Sequence, residues 1–329
     1  MTAGRSVRKG RTSVMGAGVV VGLALAGCSS GTASDAQGSP GASEAGKIAV
    51  VTSTNVYSDL ASQVGGDKVS ATPVIDSSAQ DPHSYEATPQ DRLTVEKADV
   101  VVRNGGGYDQ FMTDLASDGQ HVVDAVEASG LQREEDAHDD HDHAGEDHDH
   151  GSGHHHHGDF NEHVWYDVES MQKVVDRMAE QLGQVDQQNA QYYRDNAARV
   201  KNELGTVEQK VEGIKASGGY IATEPLPGYL LQDAGLHDET PQAFTEAIDA
   251  GSDAAPAVLN DTLGLVKGSD VKLLALNKQT STGQTDRLRS AAGDAGKPVV
   301  EFTETIPDGL NYQQWMTQNA ERVAHALQK

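Results

Sequence analysis

The chain has 329 residues, room for two ordinary domains or one large one. Its 25 Lys and Arg against 50 Asp and Glu give a formal charge of −25, which argues against nucleic acid as a partner, since phosphate contacts need a basic surface, and suits cations. No run of 18 apolar residues is present, so no ordinary spanning helix is expected, and a single Cys excludes a disulfide framework or a Cys-rich zinc fold.

In chain order, Arg5, Arg8, Lys9 and Arg11 precede a short run of small and apolar residues at 14–26. This is the pattern of a secretory signal, too short to span a membrane. It ends in Leu25-Ala26-Gly27-Cys28, which resembles a bacterial lipobox. In that reading residues 1–28 are the signal and Cys28 becomes a lipidated N-terminus, anchoring the protein at the outer face of a membrane. A plain signal peptide with a chance Cys is the alternative. Residues 29–46 are rich in Ser, Gly and Ala and read as a flexible tether.

The body then alternates. Short apolar runs at 47–53, 69–75, 99–103 and 121–126 read as strands. Helical spacing falls at 57–64, 90–97 and 108–116. This alternation predicts an α/β unit with a mainly parallel sheet over 47–185. Between 136 and 159 the composition changes abruptly, and the segment reads as a disordered insertion. Helical periodicity returns at 168–182. Residues 186–216 contain no Pro and carry Val200, Leu204, Val207, Val211 and Ile214 at helical spacing. One helix of that length would reach roughly 45 Å, and Ser217-Gly218-Gly219 would end it. A second α/β half over 218–329 has strands expected at 220–223, 271–275 and 298–302. Its helices are expected at 228–234, 285–295 and 312–327. The predicted fold is α/β: two Rossmann-like lobes with mainly parallel sheets, joined by one long rigid helix over 186–217.

The chemistry is carried by histidine. Nine of the fourteen lie in the insertion: His138, His141, His143, His148, His150, His154, His155, His156 and His157, among Asp, Glu and Gly. Such a tract binds zinc, copper or nickel in several weak, exchanging sites rather than one defined site. A solvated acidic spacer is the alternative. A defined site needs rigid elements. His83, in Asp81-Pro82-His83-Ser84-Tyr85-Glu86, follows the second strand, and ligands of open α/β sheets bind beyond the carboxyl ends of strands. His163, in His163-Val164-Trp165-Tyr166-Asp167, sits where the His-rich insertion meets a helix. Gly105-Gly106-Gly107 has no Walker Lys-Ser/Thr after it and reads as a close-approach turn. His121, His237 and His325 show no partners in the pattern and are expected at the surface or in the core.

DPHSYEATPQD, NGGGYD, the His-rich insertion, HVWYD, the long helix and the second α/β half occur in an order that resembles one family. These are the solute-binding lipoproteins of zinc and manganese ABC transporters, and the resemblance covers essentially all of 47–329. It implies a non-enzymatic, monomeric protein holding one buried cation between two lobes and delivering it to a membrane permease. It also implies two ligands from the first lobe, at His83 and His163. A third matches Glu224, where zinc members usually carry His. A fourth carboxylate matches Glu304, with Asp308 as the alternative.

Two His with two carboxylates form a harder ligand set than three His with one, and hard oxygen ligands suit Mn²⁺. The imidazole-rich tract points to Zn²⁺ instead. Zinc also outcompetes manganese at equal geometry, so zinc is the expected cargo and manganese the alternative. Without the resemblance, Glu224 reads as an acid at a helix N-terminus and Glu304 as a surface residue. Two other classes compete. A metallohydrolase needs an open coordination position and a base, and no HExxH pair is present. An adhesin or storage lipoprotein would use the metal for structure alone.

Overall fold

The computed structural model describes residues 46–77, 80, 82–132 and 160–328. The basic leader, Cys28, the tether to residue 45, Asp81 and the nine-histidine tract lie outside the described residues. The described residues belong to one compact unit.

The first half runs β1 (Ile48–Thr54), α1 (Asn55–Gly65), β2 (Val69–Ile75), α2 (Pro89–Glu96), β3 (Val100–Arg103), α3 (Gln110–Leu115), β4 (His121–Asp124) and α4 (Ala125–Ser129). Two long helices follow, α5 (Val168–Val185) and α6 (Ala190–Glu212). The second half runs β5 (Gly219–Ala222), α7 (Gly228–Asp233), β6 (His237–Asp238), α8 (Gln242–Asp249), α9 (Pro256–Leu265), β7 (Val271–Asn277), α10 (Gly283–Asp294), β8 (Val299–Phe302) and α11 (Tyr312–Ala326).

Each half holds a four-stranded sheet, in orders β2-β1-β3-β4 and β6-β5-β7-β8, and every pairing is parallel. The apolar runs IAVVTST and VKLLALN explain the parallel choice, because such strands bury both faces under crossover helices. The strand order is the same in both sheets. In each, the chain steps outward from its first strand and then crosses to the other side. The switch points therefore lie at β1 and β5, where open sheets place ligands beyond the strand ends.

Helix ends follow local chemistry. Thr88 caps α2 in a reciprocal box with Asp91, with Pro89 at the first helical position. Asp167 caps α5 by accepting from the Ser170 amide, and Asn311 and Gln314 form a capping box on α11.

The 186–216 run is helical over Ala190–Glu212, about 35 Å at 1.5 Å per residue. Asp186 separates it from α5: its carboxylate accepts from Asn189 at 2.6 Å and from the Tyr193 hydroxyl at 2.9 Å, and a 3₁₀ turn over Gln187–Asn189 reverses the chain. Local side-chain acceptance here outcompetes continuation of the helix. Nor is α6 a bare strut. Tyr193, Ala197, Val200, Leu204, Val207 and Val211 recur at three- and four-residue intervals and are all buried. They belong to one apolar cluster that also contains Val50 and Val100 of the first sheet, Leu273 and Val300 of the second, and Trp315 and Met316 of α11. Segments without a sequence expectation, α4, β6, α8 and α9, are short, and the pattern of β6 shows no apolar alternation to reveal it.

Leu204 is fully buried in that shared core. L204A is expected to cost about 2–5 kcal/mol through lost contacts and the cavity left behind. Denaturant unfolding measures it, and a loss below about 1 kcal/mol would mean the α6 stripe carries no core packing.

Candidate metal centre

Most of the candidate residues lie at or beyond the carboxyl ends of strands, and His163 directly precedes a 3₁₀ turn over Val164–Tyr166. His83 follows β2, Asn104 follows β3, Glu224 lies two residues beyond β5, Asn277 ends β7, and Glu304 lies two residues beyond β8. Both sheets thus point their carboxyl ends at one cleft. Tyr166 crosses it to donate to the Thr303 carbonyl at 2.9 Å, and Asn55 exchanges two 2.9 Å hydrogen bonds with the Ile306 backbone.

His163 is completely buried. Asn161 Oδ1 lies 3.1 Å from its main-chain nitrogen and 2.8 Å from its Nδ1. An amide oxygen can only accept, so Nδ1 carries the proton and Nε2 presents a lone pair. Nε2 is buried without a hydrogen bond and lies 3.8 Å from Glu304 Oε2. Burial, then the neighbouring His83, holds the His163 pKa well below the usual imidazole range. The ring is therefore neutral and poised as a ligand. The same Asn161 donates from Nδ2 to the Pro225 carbonyl at 3.0 Å, and its own carbonyl accepts from the Tyr229 hydroxyl at 2.7 Å. A Cβ at Gly228 would approach Asn161 Nδ2 to 2.9 Å, so glycine there admits this cross-link. One amide side chain fixes both the imidazole and the turn beside Glu224.

Glu304 is fully buried, whereas Asp308 is exposed and turned to solvent. Asn277 Nδ2 donates to Glu304 Oε1 at 2.7 Å and also to Glu224 Oε2. The Thr280 hydroxyl binds the other oxygen of Glu224, and the Tyr108 hydroxyl donates to Glu304 Oε2 at 3.1 Å. Burial and the Glu304 charge keep the Tyr108 hydroxyl protonated, as this donor role requires. Tyr108 reaches the cleft through Gly105, Gly106 and Gly107, whose φ angles are 80°, 65° and 97°. A Cβ on Gly105 would collide with the Asp124 carboxylate. The glycine run is thus the close-approach turn its sequence indicated.

His83 stacks edge-on against Tyr108 at a centroid distance of 4.7 Å and lies 5.6 Å from the His163 ring. Its Nε2 is 3.8 Å from Asp249 Oδ1 and its Nδ1 is 4.0 Å from Glu162 Oε1. His83, His163 and Asp249 offer ligand atoms within 4.8 Å of one another. Of the four expected residues, then, the two imidazoles and Glu304 converge directly, and Glu224 joins them through the shared Asn277 amide. Asp249, Glu162, Asn161 and Asn277 had not been singled out. Asn277 was legible as the polar end of an apolar strand, and Asn161 as an acceptor two residues before a His. Nothing in the sequence around Asp249 marks it.

Glu162 and Asp249 are carboxylates brought together in the cleft. Burial, then the Asp249 charge, pushes the Glu162 pKa up to about 8 from 4.5. A raised folded-state pKa contributes stability that is present below the unfolded value and lost as pH rises through the folded one. In metal-free protein this contribution should be full below about pH 4.5 and gone above about pH 8. E162Q does not titrate, so it should gain a few kcal/mol on the wild type across that interval. Equal pH profiles of unfolding for the two proteins would remove the charge conflict from the account.

Residues 50–326 match the model of the family described as zinc-uptake complex component A, periplasmic. The manganese-binding lipoprotein MntA of Halalkalibacterium halodurans is 31% identical over 114 residues, 34% of this chain and 34% of its own. The manganese ABC transporter substrate-binding lipoprotein PsaA of Streptococcus pneumoniae is 32% identical over 93 residues, 28% of this chain and 27% of its own. The matches span about a third of the length of these curated relatives. Among solved structures, ZnuA aligns with a TM-score of 0.65 at 18% identity, covering 85% of this chain and 99% of that one. FpvC of Pseudomonas aeruginosa in complex with Mn²⁺ aligns with a TM-score of 0.65 at 20% identity, covering 86% and 98%. At these identities the structures establish the fold. Family and fold are those of substrate-binding proteins, which do no chemistry on their cargo. Because the family match runs from the first strand to the end of the last helix, the chain belongs to the zinc-uptake complex component A family.

Proposed function

We propose that this protein captures Zn²⁺ outside the membrane in the cleft between its two sheets and passes it to an ABC-type permease. The observation that carries the reading is His163: a fully buried neutral imidazole, oriented by Asn161, whose unprotonated Nε2 faces a buried carboxylate. Metal-binding histidines are oriented in this way by an acceptor on the other ring nitrogen. His83, His163, Glu224 and Glu304 are the proposed ligands, with the carboxyl groups of Asp249 and Glu162 on the His83 side. Glu224 and Glu304 converge on one amide nitrogen of Asn277, a place where a cation compensates both charges better than a dipole does. Glu304 is chosen over Asp308 because it is buried against His163.

Cys28 would carry a lipid anchor and place the body at the extracytoplasmic face. The nine-histidine tract would raise local zinc capture. Residues 47–185, 186–217 and 218–329 would act as first lobe, connecting helix and second lobe. Their shared apolar core limits how far the lobes can part. Manganese is the second reading, favoured by the carboxylate-rich cleft, because oxygen donors suit Mn²⁺.

Calorimetric titration of metal-stripped soluble protein lacking residues 137–158 separates the readings. One tight zinc site with weak manganese binding is expected. Tight manganese binding with comparable or weaker zinc would move the protein to manganese, and no tight site for either would overturn the ligand set. N161A should weaken zinc binding about 10–100-fold without abolishing it, the usual effect of losing a residue that orients a ligand. Unchanged affinity would show that Asn161 does not set the His163 tautomer. Deletion of the gene should cause a growth defect rescued by added metal, which an adhesin or storage protein would not show.

A further inference from the structure

At the opposite end of the second sheet lies another group of metal-ligating side chains. His237 and Glu239 come from the edge strand β6 and the residue after it, and Asp270 from the turn into β7. His237 Nε2 is 2.9 Å from Glu239 Oε1 and 3.2 Å from Asp270 Oδ2. The sequence pattern offered His237 no partners, because these two carboxylates meet it only through the sheet.

Between β6 and β7 runs β5, which opens at Gly219 directly after Gly218. The backbone ladders hold both sides: His237 N donates to Gly218 O at 3.1 Å, and Gly219 N donates to Asp270 O at 3.1 Å. A Cβ on Gly219 would overlap Glu239 Cγ, so the missing side chain leaves the space through which the Glu239 side chain passes. Any other residue at 219 would push Glu239 away. The group thus rests on strand backbone over a cradle that only glycine leaves open, unlike a chance surface ion pair between long free side chains.

We infer that His237, Glu239 and Asp270 form a second, solvent-exposed binding site for a zinc-class divalent cation, with water completing the coordination. Zinc bonds of 2.0–2.2 Å to N and O imply a donor–donor separation of about 3.3 Å in a tetrahedral site. The observed 2.9 and 3.2 Å need only a slight opening. One imidazole with two carboxylates selects zinc-like ions over Mg²⁺ and Ca²⁺, which take oxygen ligands. The occupant in competition is a proton on Nε2, which would leave an imidazolium between two carboxylates. The site lies at the amino ends of β5 and β7, far along the sheet from Glu224 and Glu304, and the inference does not depend on the ligands assigned to the cleft.

Diethylpyrocarbonate footprinting of the full soluble chain, read histidine by histidine from peptide masses in buffered free zinc, tests it. Zinc on Nε2 leaves Nδ1 protonated, so neither nitrogen can attack the reagent. The His237 rate should fall about tenfold when free zinc is ten times the dissociation constant, and Mg²⁺ should leave it unchanged. E239Q and D270N should each remove the zinc effect, as should G219A if it folds. A His237 rate independent of zinc up to millimolar concentration would overturn the site, as would equal protection in E239Q and D270N.

Discussion

Asn161 holds the centre of this protein together. Its oxygen accepts from both nitrogens that His163 offers on that side, and its amide nitrogen donates across the cleft to Pro225. The imidazole tautomer, the ring direction and the position of the Glu224 turn therefore share one side chain. If that amide were elsewhere, a buried ring would have to find another acceptor for Nδ1, and the two lobes would lose a tie at their meeting point. Buried polar groups tolerate such loss poorly, because the partner left behind carries the desolvation cost.

Around this anchor the cleft gathers carboxyl groups whose ionised form burial makes expensive. Glu162, Glu224 and Glu304 are all buried, and Asp249 stands beside His83. The protein meets part of the cost with donors, the Asn277 amide and the Tyr108 and Thr280 hydroxyls, while Gln279 accepts from the Glu304 main-chain amide at 2.6 Å and so positions that residue. These dipoles position the carboxylates without neutralising them. Oriented imidazoles beside incompletely compensated carboxylates are what support the proposed cation site.

Two parallel sheets of identical order make this convergence available, since both direct the carboxyl ends of their strands inward. One apolar core runs from β1 to α11 through α5 and α6. Helix α6 takes part in that core through its buried stripe.

Much of this was legible in the chain. Every strand expected from a short apolar run is present within a residue or two, because burial of both faces needs such runs. His83 and His163 stood out by their placement at element junctions, and the glycine turn by its lack of a phosphate-binding Lys-Ser/Thr. The 186–216 run ended earlier than its periodicity suggested, since periodicity does not record that Asp186 accepts from Asn189 and Tyr193.

The sequence by itself determined the alternation, the parallel class, the family resemblance and two of the imidazoles, because each is written in local spacing or composition. Only the tertiary structure decided that Asp249 and Glu162 face His83, that Asn277 joins Glu224 to Glu304, and that His237 meets Glu239 and Asp270. Those contacts join residues from separate strands and helices, often far apart in the chain, and their distances depend on sheet register and crossover packing that no local pattern encodes.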